Sequence, residues 1–513
     1  MRSKKAIINI ISALVLQVVM AICNFIIPIL IIKRFGSNVN GLVSSITQFL
    51  AYIVLLEAGI GPVIKAALYK PIAKKNKEQI ENILKSSEKF FRTISGLFVI
   101  YIIILAFAFP IIVKNEFPFV YTMSLVIIIS ISSLAEYFFG ITYKLYLQAE
   151  QKTYITSIIQ IFGYILNTVA IVILINLNCN IQIIKLVGGL IFVLRPIIQN
   201  LYVKKKYNIN LKNADKNYNL KQKWDGLAQH IASVVHNNTD ITILTLFTPI
   251  SEVSVYAVYN LVVKGVQAII QAFTGGVDAS FGDMIAKEEK EHLKKSFKVY
   301  EIFYFTIIAV VYICTLILIV PFVSVYTNGI SDANYIRPLF GILLVLGEFA
   351  WAIRLPYSSI TLAAGHFKET KKGAWGEAIS NIIISLIFVW KYGIVGVAIG
   401  TLVAMIIRTV EFVYHTNKYI LERKQSESSI RFVIIAIQLI VVVLLSKLLP
   451  TYEFTNYFIW IKYACMILIL TLMIVLPINL IVYRKDAKEL LDIIKRNIFR
   501  KRRQTNNTKS AKK

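Results

Sequence analysis

The sequence is poor in charge and in cysteine. Only 16% of its 513 residues are Asp, Glu, Lys or Arg, where soluble domains carry about 25%. No polar stretch is long enough to fold as a soluble domain. The four cysteines, Cys23, Cys179, Cys314 and Cys465, are far apart and form no CxxC pair. Neither a disulfide framework nor a thiolate metal site is expected. The chain also lacks GxxxxGK[ST], a GxGxxG after a strand, HExxH and any Cys/His cluster, so no nucleotide, metal or other cofactor is expected. His230 and His236 are six apart and do not share a helix face; they read as hydrogen-bonded packing residues.

What is present is apolar sequence from end to end. Hydrophobic residues make up 57% of the chain, and the mean hydropathy is +0.66. An all-α integral membrane protein of about fourteen transmembrane helices is expected, because about 20 apolar residues cross a bilayer. The spans are placed at 7–32, 41–64, 93–113, 120–145, 155–176, 182–203, 228–248, 253–277, 300–325, 336–362, 375–390, 394–416, 431–449 and 458–483. The basic start Met1–Lys5 and the long run behind it read as a retained first helix rather than a signal peptide. The net charge of +28 invites a nucleic-acid reading, but the placement of charge argues against one. With the N-terminus inside, 44 of the 56 Lys and Arg fall in inner segments, seven at outer turns and five within spans. That asymmetry puts both termini in the cytoplasm and holds the basic segments against anionic inner-leaflet lipid. No nucleic-acid partner is expected.

The stretch Arg34–Lys77 organises the rest. Its apolar run holds one carboxylate, Glu57, followed at once by Gly59, Gly61 and Pro62. A carboxylate beside helix-weakening residues predicts a kink facing a cavity; the alternative is a Glu57 that snorkels to the inner headgroups. Beyond it, Glu78–Lys89 reads as an amphipathic helix on the inner surface, with Ile80, Ile83 and Leu84 on one face.

The second half replays the first at an offset of 211–216 residues. AKKNKEQIENIL (73–84) corresponds to AKEEKEHLKKSF (286–297), AEYFFGI (135–141) to GEFAWAI (347–353), and Gly59–Gly61 to Gly275–Gly276. Glu136 thereby matches Glu348, and Arg195 matches Arg408. Six spans is an even number, so the repeat is parallel. The expected organisation is two pseudo-twofold six-helix lobes plus a C-terminal helix pair. The N-lobe is 1–203, a cytoplasmic linker 204–227, the C-lobe 228–417, the added hairpin 431–483 and a basic cytoplasmic tail 484–513.

Charge within the spans is the remaining chemistry. Glu57, Glu136, Arg195, Asp240, Lys264, Glu348, Arg354 and Arg408 lie there, and each costs about 2.5–3.5 kcal/mol at a helix centre. Structural pairing explains any one of them. As a set they are better explained by a polar cavity between the lobes. Arg195, Lys264, Arg354 and Arg408 would form its cationic, phosphate-binding wall. Glu57, Glu136, Asp240 and Glu348 are the candidates for coupling to an ion, H⁺ or Na⁺. The outer turns are short, the longest about ten residues, leaving no room for the outer catalytic loop of an enzyme.

RFGSNVNGLVSSITQFL, LLEAGIGPVIKAALYKPIAKKN and LQAEQK, with the repeat and the added hairpin, resemble polysaccharide flippases of the Wzx type. These belong to the multidrug/oligosaccharidyl-lipid/polysaccharide (MOP) exporter superfamily. The resemblance implies two lobes that open alternately, in the plasma membrane of a bacterium. It implies an undecaprenyl-pyrophosphate-linked oligosaccharide as cargo, turned to the outer leaflet for surface polysaccharide synthesis, and a polysaccharide polymerase machinery as partner. Three alternatives stay open: a lipid II flippase, a drug/cation antiporter on the same fold, and a membrane-embedded sugar polymerase or transferase.

Overall fold

Long apolar runs with few breakers produce long helices. The computed structural model describes residues 2–57, 59–211, 214–215, 227–274, 278–450 and 452–484. Most of the expected linker, Gly275–Gly276 and the tail beyond 484 lie outside these residues. Among the described residues all regular structure is helical: α1 (Arg2–Phe35), α2 (Ser37–Ala51), α3 (Val54–Glu57), α4 (Ile60–Ala73), α5 (Lys77–Ile112) and α6 (Phe119–Ala135) come first. A π-helical turn (Glu136–Gly140) leads into α7 (Ile141–Ala149), α8 (Thr153–Asn176) and α9 (Ile181–Tyr207). The second half holds α10 (Leu227–Phe247), α11 (Ile250–Thr274), α12 (Asp278–Ala286), α13 (Lys290–Tyr326), α14 (Pro338–Ala363), α15 (Lys371–Tyr392) and α16 (Ile394–His415). After a second π-turn (Thr416–Ile420) come α17 (Gln425–Ser446) and α18 (Tyr457–Val482).

Among the described residues, helix is found in each of the fourteen expected spans, and thirteen stretches are long and apolar enough to cross a bilayer. The expected seventh span, α10, is not one of the thirteen; it carries Asn237, Asn238, Thr239, Asp240, Thr242 and Thr245. Two expectations change in detail. The surface helix expected at Glu78–Lys89 is not separate but is the first third of α5, with Ile80, Ile83 and Leu84 buried as one face. At 36 residues α5 is about 54 Å long, well beyond a 30 Å hydrocarbon core, so it extends past the bilayer. Its repeat partner α13 does the same with 37 residues. The expected kink near the end of span two is realised as two breaks. Helical order lapses at Tyr52–Ile53, and again at Gly59, whose φ of 71° is left-handed.

Two compact units emerge. The first comprises Met1–Leu261, Gly329–Asn334 and Glu377–Gly400. Its core is built on α2, α4, α5, α6 and α7, with Leu42, Ile46, Ile64, Leu84, Phe98 and Phe109 fully enclosed. The outward faces of α1, α8 and α9 are apolar and exposed, as at Ile10, Val18, Phe162, Leu190 and Leu201, which suits contact with acyl chains. The second unit comprises Val262–Asn328, Tyr335–Gly376 and Thr401–Lys513. Aromatic side chains dominate its interior, with Phe297, Tyr304, Tyr312, Phe340 and Tyr357 all buried.

Candidate functional site

In the first unit, the breaks in the second span bring Glu57 to the π-turn that follows α6. Its carboxylate is half-buried and accepts a hydrogen bond from the Tyr137 hydroxyl. Tyr137 sits in the π-turn, and the neighbouring Glu136 pairs with Lys144 at 3.5 Å. The extra residue of a π-turn disturbs the backbone ladder, a distortion common at functional sites. Here the Gln199 amide, from α9, donates to the Gly140 carbonyl at 3.2 Å. The repeat-related GEFAWAI lies in unbroken α14, so the two halves differ at this point.

Arg195 stands apart. Its guanidinium lies 4.1 Å from the Phe192 ring centre and 5.6 Å from that of Tyr164. Its Nε donates to the Phe192 carbonyl at 3.4 Å, and its stem presses on Gly163. No ion pair joins it to Glu136, or to any other carboxylate among the described residues. A guanidinium stacked on aromatic faces keeps its charge for an anion.

Asp240, in α10, is 5% exposed. The Tyr256 hydroxyl donates to it at 2.9 Å and the Asn381 amide approaches at 3.5 Å, so three helices converge on one carboxylate. The rest of α10 forms a polar seam with α2. Ser45 bonds Thr245 at 2.7 Å, Gln48 bonds Asn238, and the Tyr52 hydroxyl lies 3.0 Å from that of Thr242. His230 ends the seam, 3.2 Å from the Val54 carbonyl, a packing role like the one expected of it. Asn238, Thr242 and Thr245 thus meet the second span, Asp240 meets α11 and α15, and Asn237 and Thr239 bond carbonyls one turn back in α10, which accounts for a helix this polar.

In the second unit, two of the expected residues are linked. The Lys264 ammonium donates to the Gln267 carbonyl oxygen at 2.9 Å, and the Gln267 amide donates to Glu348. Cation and carboxylate are thus coupled through one buried amide. Arg408 is 2% exposed. It pairs with Glu411, donates to the Thr370 carbonyl at 2.8 Å and lies over the Phe412 ring. Its charge is already compensated, unlike that of Arg195 at the repeat-related position. Arg354 lies on α14, half-buried.

The sequence reading missed several participants. Glu411 was detectable, since i,i+3 spacing from Arg408 on a helix allows pairing. Glu301 was not: it is fully buried, 122 residues from Arg423 in sequence. Arg423 donates to it at 2.8 and 2.9 Å, and Arg431 and the Tyr357 hydroxyl also bind it. Arg423, between the expected spans 394–416 and 431–449, and Arg431, at the start of the latter, are therefore internal. Among the described residues no three His, Cys, Asp or Glu side chains are grouped to hold a metal.

No protein-family model matches the chain, and no curated protein matches it in sequence. Solved structures do match in fold. One is the lipid II flippase MurJ in an inward-closed conformation, with a TM-score of 0.67 at 16% identity, covering 93% of this chain and 99% of that one. Another is an inward-facing multidrug resistance transporter of the MATE family in the MOP superfamily, with a TM-score of 0.59 at 16% identity and coverages of 80% and 95%. A third is a MOP-superfamily transporter from Pyrococcus furiosus, at 0.52 and 14% identity with coverages of 82% and 97%. These neighbours are a flippase and two transporters, and the chain shares their all-helical fold.

Proposed function

We propose that the protein is a flippase that carries a polyprenyl-pyrophosphate-linked oligosaccharide from the cytoplasmic to the outer leaflet by alternating access. The observation that carries this reading is the near-complete match to a lipid II flippase: 93% of this chain aligns with it, against 80% for the MATE family transporter. The sequence motifs favour a surface-polysaccharide repeat unit as cargo. The flippase match favours lipid II as the second reading. Both place a pyrophosphate in the transport path.

The halves 1–203 and 228–417 are the moving parts, with 204–227 as linker, 431–483 as an added hairpin and 484–513 as a basic tail. Arg195, Lys264, Arg354 and Arg408 receive the pyrophosphate or acidic sugars. Arg195 is the foremost of them, because no carboxylate among the described residues neutralises it. Asp240 is the best-placed coupling group, because it is buried and accepts hydrogen bonds from the Tyr256 hydroxyl and the Asn381 amide. Glu57, Glu136 and Glu348 are the other candidates. The membrane potential contributes about 2.3 kcal/mol per charge per 100 mV to such a cycle. The Lys/Arg asymmetry supports a bacterial plasma membrane location with both termini inside. A polysaccharide polymerase machinery would take the delivered repeat unit.

The test is deletion of the gene followed by analysis of lipid-linked sugars on the inner face. Accumulation of a polysaccharide repeat unit supports the first reading. Accumulation of lipid II, with rescue of cells depleted of their lipid II flippase, supports the second. Neither product accumulating refutes both. In cells that lack the native copy, Arg195→Ala abolishes surface polysaccharide; unchanged output removes the cationic role.

A further inference from the structure

Two outer turns carry carboxylates that cap helices of the opposite half. Asp332, between α13 and α14, accepts the backbone N–H of Ser37 at 2.6 Å and the Ser37 hydroxyl at 2.7 Å. Ser37 is the first residue of α2, whose flanking Gly36 offers no side-chain cap. Glu116, between α5 and α6, accepts the backbone N–H of Ile250 at 3.0 and 3.2 Å. Ile250 is the first residue of α11. The four positions obey the repeat: 332 follows 116 by 216 residues, and 250 follows 37 by 213. Each half therefore supplies a carboxylate to the second helix of the other.

The capped ends also touch. The Asn40 amide donates to the Ser254 hydroxyl at 2.8 Å, and a Cβ on Gly41 would overlap the Ile250 carbonyl. Gly36 allows the Asp332 approach, with φ of 86° and no Cβ; one added there would lie 2.9 Å from the carboxylate oxygen.

The first N–H groups of a helix have no partner within it, and a carboxylate there satisfies them and favours the dipole. Both carboxylates are exposed, so water competes for these bonds and each is individually weak. Weak, paired and symmetric contacts suit a joint that must form and break in every cycle. We propose that Asp332–Ser37 and Glu116–Ile250 are a reciprocal latch that holds the outer ends of α2 and α11 together until both release for outward opening. The proposal rests on the alternating-access reading, but its readout needs no cargo, so it fails independently of the substrate assignment.

Thr245, 4% exposed in the seam beneath the latch, serves as reporter. Thr245→Cys is placed in protein whose four native cysteines are replaced by Ala, and a membrane-impermeant maleimide is added from outside. Asp332→Asn and Glu116→Gln keep the shape and remove the charge. Each raises the labelling rate by about two- to fivefold, and the pair by about four- to 25-fold, as independent helix-terminus charges would. Asp332→Glu and Glu116→Asp, which keep the charge, stay nearer the parent rate. Parent-rate labelling in the charge-removed pair overturns the latch when that protein is still monodisperse in detergent. If the pair does not fold, parent-rate labelling in both singles overturns it equally.

Discussion

Glu301→Gln is the substitution whose effect the structure sets most firmly. Glu301 is fully buried and accepts from two guanidiniums, those of Arg423 and Arg431, and from the Tyr357 hydroxyl. The two side chains that hold it are themselves 10% and 4% exposed. A glutamine keeps the volume and one acceptor oxygen but leaves two buried positive charges facing a neutral amide. Breaking one partner of a buried ion pair costs about 3–5 kcal/mol. The effect is local to α13, α14, the turn after α16 and α17, because those segments supply the partners. The assay heats detergent-solubilised protein and follows the monodisperse fraction at a fixed scan rate, since unfolding of a large membrane protein is a kinetic event. The apparent midpoint falls by about 3–5 °C. Replacing the whole cluster, Glu301→Met with Arg423→Met and Arg431→Leu, restores most of the loss, because a buried triad exchanged for apolar side chains is often neutral or better. A Glu301→Gln midpoint within about a degree of the parent would refute the reasoning, since the arginines would then not depend on that charge.

Three further outcomes follow from the same geometry. Thr245→Val costs more stability than Ser45→Ala: Thr245 retains its Ile241 carbonyl partner at 2.7 Å when Ser45 is truncated, whereas Ser45 is left with a buried hydroxyl worth about 1–3 kcal/mol; thermal midpoints of the two variants give the order. Arg408→Ala lowers the yield of folded protein by leaving Glu411 unpaired next to Gly373, while Arg195→Ala preserves yield and loses transport, as size-exclusion profiles and surface polysaccharide assays on the same preparations will separate. Gly373→Ala drives a methyl into the space of the Glu411 carboxylate and destabilises by about 1–3 kcal/mol, read as a lower thermal midpoint that Glu411→Ala partly relieves.

Apolar run length was enough to place thirteen of the fourteen expected spans, the polar α10 being the exception, because a span needs only some 20 apolar residues whatever its neighbours. The near-constant offset between halves was likewise legible, and Gly59 with its flanking Gly61 and Pro62 announced the break that lets Glu57 reach Tyr137. What a helix-by-helix reading could not supply was which charge meets which. Arg195 and Arg408 occupy matched positions, yet one lies on two aromatic rings and the other on Glu411. Lys264 and Glu348 communicate only because Gln267 stands between them. Glu301 finds its arginines across more than a hundred residues. Hydrophobic pattern is a property of each segment and survives without its neighbours. Charge compensation in lipid is a property of helix contacts, and only the tertiary structure decided them.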